Sequence, residues 1–354
     1  MNGGSDVEPM NLERRTVVKL TGLASGTGAI AGVASGTESS TAERSTSWER
    51  GRSDGISVTV LGSGASSFEN GRANAGHVVH VDGEPTFLLD AGGGVGARLG
   101  EAGVDLTALD GVFLGHLHID HTAALPAVVK AAYQRGRDRP LPVYGPTGTD
   151  DVPGTAAFLS RLFDPETGAY NYLEPFVERY TDGKLELEPT EIDATVGEDD
   201  GIACVRDEDV TVEAIPQTHG AIPALAYRFT CRGRSITFSG DTSLVTDNLR
   251  RLADGTDVLV HNRVVDAHVD PDEPKTDLHA YAAEIGATAS AADVRTLVLS
   301  HLSQTDETEI EREMELIARE YDGPIVAVRD LVEVDPDGRI GAVEPIENDV
   351  LVCE

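Results

Sequence analysis

The chain has 354 residues, enough for one large domain or two small ones, and its 40% hydrophobic content is ordinary for a globular core. Acidic residues number 61 against 28 basic ones, a formal net charge of −33, and a field of that sign disfavours nucleic acid and anionic membranes as partners. At molar salt the Debye length falls to about 3 Å and screens most of that repulsion, so the acidic excess, with arginine dominating over lysine and few aromatics, points to an extreme halophile. Three scattered cysteines (Cys204, Cys231, Cys353) form neither a CxxC metal pair nor a disulfide framework.

In chain order, Arg14 and Arg15 precede "TVVKL", a weakly apolar Ala/Gly-rich run and small residues near Ala34. That order over 1–35 predicts a twin-arginine export signal, hence an extracellular or cell-surface protein that meets the export machinery; without the signal it would be cytoplasmic. The run is too short and interrupted for a stable membrane span. Residues 36–54 read as a disordered linker, and one folded domain is expected over 55–354.

"ISVTVLGSG" (56–64), "HVVHVDG" (77–83) and "TFLLDAG" (86–92) read as strands, and 94–103 as a helix. "GVFLGH" (111–116) is a short apolar strand, and 122–135 is helical. Residues 145–200 read as an acidic insertion with short helices near 155–163 and 174–180. The second half repeats the arrangement. Strands are expected at 210–216, 224–231, 234–240, 257–261, 296–301 and 324–330, helices at 244–253, 278–292 and 306–320, then a terminal hairpin. Strands first and then strands alternating with helices predict an α/β fold, two sheets face to face with helices outside.

"GHLHIDH" (115–121) holds three of the ten histidines. His116 and His118 would diverge by about 200° on a helix, but they converge on a loop leaving a strand. Asp120 and His121 follow at the turn into the next helix, where they can face a second point. Imidazole with carboxylate suits zinc, and also manganese or iron. At this composition HxHxDH arises by chance in roughly one chain per thousand. His219, Asp241 and His301 each follow a predicted strand, and strand ends on one sheet edge are a usual place for such a site.

With these motifs in view, residues 56–330 resemble the metallo-β-lactamase superfamily, on "LLDAG" with Asp90, "HLHIDH", "THG", "FSGDT" and "LVLSH" in that order. The resemblance implies an αββα sandwich and two divalent metal ions, Zn²⁺ first with Mn²⁺ or Fe²⁺ as alternatives. It places one ion on His116, His118 and His219, a second on Asp120, His121 and His301, Asp241 between them, and Asp90 as structural support. "VLGSG", "GHLHIDHTAALP", "VYGPTGT" and "GRSITFSGDTS" look most like the branch holding ribonuclease Z, class II cyclic-nucleotide phosphodiesterases and arylsulfatase-like exported hydrolases. Asn262 stands where ribonuclease Z carries glutamate, and no Gly- and Lys-rich tRNA-clamping arm is evident.

The expected activity is hydrolysis of a phosphodiester or sulfate ester by a metal-bridging hydroxide. Two Zn²⁺ less Asp120, Asp241 and that hydroxide leave about one positive charge, which favours a small anionic ester. Asp120 would orient the hydroxide, and His279 or His261 would protonate the leaving group. A lactonase or other acyl hydrolase shares the ligand set and stands as the alternative. A tRNA-processing ribonuclease Z and a non-catalytic metal scaffold rank lower. Di-iron redox relatives carry glutamate in place of His118, which disfavours electron transfer. Sequence leaves a homodimer open.

Overall fold

A computed structural model describes residues 55–67, 71–181, 183–197, 203–206, 210–263, 274–303 and 307–343. The export signal and linker expected over 1–54 lie outside the described residues, as does the end of the chain beyond 343.

The described residues form two mixed sheets. The first contains β1 (Ile56–Gly62), β2 (Gly76–Val81), β3 (Glu84–Leu89), β4 (Gly111–Phe113), β5 (Leu141–Pro146) and β6 (Leu187–Ile192) side by side. A hairpin late in the chain, β14 (Val332–Val334) and β15 (Ile340–Ala342), returns to pair antiparallel with β1 and makes it eight-stranded. The second sheet runs from β7 (Ala203–Arg206) through β8 (Val210–Gln217), β9 (Ala224–Cys231), β10 (Arg234–Phe238), β11 (Val258–Asn262) and β12 (Thr296–Ser300) to β13 (Ile325–Ala327).

Strand alternation sorts the core into three clusters. Val58, Val60 and Phe113 from the first sheet meet Phe229, Phe238, Val258 and Val260 from the second in a central layer. The intervening residues point outward: Leu61, Val112 and Leu114 pack under α1 (Val95–Glu101), α3 (Leu125–Gln134), α4 (Thr155–Phe163) and α5 (Leu173–Tyr180). Leu259, Leu297 and Leu299 pack under α6 (Asn248–Leu252), α7 (Ala282–Ala291) and α8 (Glu307–Ile317). Period-two burial on both faces of both sheets yields the αββα sandwich.

Three local differences from the sequence reading have physical causes. The helix expected over 122–135 is split into α2 (Ile119–Thr122) and α3, because Pro126 opens α3 and cannot extend α2. The helix expected from 278 begins at Ala282, where Glu284 accepts a hydrogen bond from the Tyr281 N–H at 2.9 Å, so His279 sits in the loop ahead of α7. The acidic stretch 145–200 carries the two expected helices but also β6, which pairs parallel with β5 along its whole length. β6 is an edge strand, exposed over Glu188–Glu191, so it lacks the apolar alternation that marks a strand.

Candidate metal centre

The parallel strands β3 and β4 end level, Leu89 opposite Phe113, and both chains then turn over the same sheet edge. Asp90 follows β3 with φ 58°. Its Oδ1 accepts from the Gly115 N–H at 2.8 Å and its Oδ2 lies 2.7 Å from His121 Nδ1. A carboxylate against Nδ1 keeps a proton there, so Nε2 is the nitrogen turned to the cluster, the one at which a cation would replace a proton. The loop also needs Gly92: a Cβ at this position would collide with the Asp120 carbonyl oxygen. The Ala91 N–H donating to the His121 carbonyl (2.7 Å) completes this close approach.

The other residues arrive from the second sheet. His219 sits in the β8–β9 turn, its Nδ1 donating to the Leu278 carbonyl at 2.8 Å, so its Nε2 is bare and faces His118 Nδ1 at 3.3 Å. Asp241 follows β10, with Oδ1 accepting from Asn262 Nδ2 at 2.9 Å. His301 follows β12 in the left-handed region, φ 54°, where few residues other than glycine settle. It is held there by the Leu302 N–H, which donates to the Ser63 carbonyl at 2.8 Å.

The structure brings all seven expected ligands together, and His279 with them. Their donor atoms form four overlapping groups, each within 4.8 Å: His116/His118/His219, His116/His121/Asp241, Asp120/His121/His301 and His219/Asp241/His279. Asp241 Oδ2 lies at the centre. It is 3.5 Å from His121 Nε2, 3.6 Å from His301 Nε2, and 3.9 Å from His116 Nε2, His219 Nε2 and His279 Nδ1. Asp120 Oδ2 is 3.3 Å from His301 Nε2. Most of these separations are too long for hydrogen bonds. They are near the roughly 3.3 Å edge expected between two ligands each about 2.0–2.1 Å from one tetrahedral zinc.

Electrostatics point the same way. His116 is fully enclosed, neither ring nitrogen has a hydrogen-bond partner among the described residues, and burial together with the charge of His121 drives its pKa well below the usual range. Burial likewise lowers His118 and His219. His121 goes the other way: burial opposes its charge, but the Asp90 and Asp241 carboxylates raise its pKa well above normal. Asp241 is held well below the carboxylate range by His301 and His121 against the cost of burial. Five imidazoles and two carboxylates in one place, all buried except half-buried His118 and some with orphaned nitrogens, fit divalent cations.

His261 is not in any of the four groups. It is fully buried on β11, with Nδ1 donating to the Asn262 carbonyl at 2.9 Å and Nε2 without a partner among the described residues, and burial lowers its pKa to about 4. The neighbouring Asn262 points to the cluster instead, because successive strand residues face opposite sides.

A two-sheet sandwich with histidines and aspartates gathered at one edge defines the class: a metallohydrolase of the αββα type. Residues 86–302 match the Beta-lactamase superfamily domain. The chain is 32% identical over 294 residues to Ribonuclease Z of Mycobacterium bovis, covering 79% of this chain and 99% of that one. The metallo-beta-lactamase fold protein YhfI from Bacillus subtilis superposes with TM-score 0.60 at 19% identity, covering 81% of this chain and 99% of its own. Human tRNase Z, short form, superposes with TM-score 0.57 at 22% identity, covering 79% and 98%. The chain belongs to the metallo-β-lactamase superfamily and is a hydrolase of that fold.

Proposed function

We propose that the protein is a metal-dependent phosphodiesterase whose ions are held by His116, His118, Asp120, His121, His219, Asp241 and His301. The observation that carries this reading is Asp241 Oδ2, ringed by five imidazole nitrogens at 3.5–3.9 Å. Two divalent cations held there supply Lewis-acid polarisation of the ester and water of lowered pKa. Zn²⁺ suits the nitrogen-rich set best, with Mn²⁺ or Fe²⁺ next. Asp120 is ionised, its carboxyl held low by His301 and His121 despite burial, and it acts as the base that orients the attacking water. Of the two expected proton donors only His279 sits in the same cluster, and burial lowers its pKa to about 4, so it meets the leaving group as an imidazole that is neutral at pH 7.

The ester is narrowed to a phosphodiester by the relatives' name, since a ribonuclease cleaves that bond. A sulfate ester and an acyl substrate rank below it. The same relatives favour a second reading, cleavage of a tRNA precursor. Against it stands the acidic excess of the stretch 150–188: Asp150, Asp151, Glu166, Glu178, Glu186 and Glu188 are all exposed, against exposed Arg161, Arg179 and Lys184, so RNA would meet net like charge there. Parallel assays decide. Turnover of bis(p-nitrophenyl) phosphate with no cleavage of a 3′-extended tRNA transcript supports the first reading, and efficient transcript cleavage supports the second. Export through Arg14 and Arg15 is part of the same proposal. It predicts that Arg14→Lys/Arg15→Lys retains the protein inside the cell, while equal secretion of the variant contradicts it.

A further inference from the structure

The metal centre is not closed evenly. His116, His121, His219, Asp241 and His301 are at most 2% exposed. Asp120 and His279 show 7% and 8%, and His118 is only half-buried. The centre therefore opens to solvent on the side of the 118–120 segment, and a substrate reaching the donor atoms passes there. Ile119 stands between His118 and Asp120, its Cα about 3.8 Å from each of theirs. The helix α2 buries its other three residues, Asp120, His121 and Thr122, and leaves Ile119 outside, 77% exposed. Val245, 76% exposed, follows Asp241 by four residues. Its loop is tied to the turn that carries His219, because the Ser243 N–H donates to the Thr218 carbonyl at 2.8 Å. Leu244, at φ 53°, packs inward against the layer of α6 and α7 and leaves Val245 outward.

These two are the most exposed large apolar side chains among the described residues. Single exposed aliphatics are scattered over any protein surface, but these two sit on two of the segments that carry the ligands of one centre. An isoleucine side chain offers neither charge nor hydrogen bond, so it discriminates by apolar contact alone and gives nothing back to a hydrated group that loses water against it. We propose that Ile119 is a specificity-determining residue that contacts the organic group next to the reacting phosphorus. It selects an apolar aryl or alkyl group there over a charged or strongly hydrated one, and Val245 extends that selection to a longer group. This rests on the phosphodiesterase reading and names its substrate class, a small phosphodiester carrying an apolar group.

The test uses p-nitrophenyl phenyl phosphate and p-nitrophenyl phosphorylcholine, which share a leaving group, with full-length, metal-loaded wild type, Ile119→Ala and Ile119→Leu. Each variant is compared with wild type on the same ester, which cancels the intrinsic reactivity of the two esters. Ile119→Ala should lower kcat/KM for the phenyl ester about tenfold, as expected if the substrate covers roughly half of the three carbons removed. The phosphorylcholine ester should change by less than about twofold, Ile119→Leu should keep the phenyl ester near the wild-type value, and metal content by mass spectrometry should match wild type in both variants. An unchanged phenyl ester, an equal loss on both esters, or metal lost from Ile119→Ala overturns the proposal, the last two because Ile119 would then support its ligand neighbours and not the substrate. Wild type that cleaves bis(p-nitrophenyl) phosphate but not the phenyl ester also overturns it and leaves the phosphodiesterase reading intact. Hydrolysis of none of the three overturns both.

Discussion

Asp90 touches no expected metal directly, yet it should control the affinity of the centre. It accepts from the Gly115 N–H at 2.8 Å and from His121 Nδ1 at 2.7 Å, both buried. Asp90→Ala leaves both donors without a partner. Hydrogen bonds to a charged group contribute about 1.5–3 kcal/mol each, so the loss should be about 3–5 kcal/mol of stability. Asp90→Asn is gentler and more informative. Its amide has one acceptor oxygen, so it satisfies Gly115 or His121 but not both, and it no longer pins the His121 proton on Nδ1. Zinc affinity at the His121 side should then fall about 10–100-fold, the usual effect of losing the partner of a ligating histidine. Titration against a competing chelator measures that affinity, and urea denaturation measures the fold. An Asn variant that folds and binds both ions within threefold of wild type would refute the claim that Asp90 sets the His121 tautomer.

Asp120→Ala should lower turnover at least about 100-fold while one ion still binds at His116, His118 and His219; near-normal turnover, or loss of both ions, would contradict the assigned role. In chelated protein, buried His261 with its pKa lowered to about 4 is neutral in the fold and protonated in the unfolded chain below about 6.5. Its contribution is therefore present above pH 6.5 and lost as pH falls towards 4, about 2 kcal/mol between pH 7 and pH 5. His261→Phe should flatten that decline in urea midpoints, and an equal slope in both proteins would show that His261 is not its source. The −33 charge predicts a melting temperature that rises between 0.1 and 2 M NaCl, and a flat dependence would remove the halophile proposal.

The sandwich was legible because most strands are buried on both faces and read as short apolar runs, as in Gly111–Phe113 and Thr296–Ser300. β5 and β6 were not, since "LPVYGP" carries two prolines and "LEPTEI" is largely exposed. The seven expected ligands were legible because histidine is scarce here and His219, Asp241 and His301 each follow a strand, whereas His279 reaches the centre from the loop ahead of α7. His261 misleads for the same reason: it also closes a strand, but on the face turned from Asn262, and one residue of register decides between core and cluster.

The central claim is that these five histidines and two aspartates hold two ions that hydrolyse a phosphodiester. Its most direct measurement is metal content by mass spectrometry alongside bis(p-nitrophenyl) phosphate turnover, before chelation, after it, and after zinc is restored. The account predicts about two ions per chain, turnover lost with them and regained on reloading. Turnover that survives complete chelation, or a two-ion protein that leaves the phosphodiester intact, would contradict it.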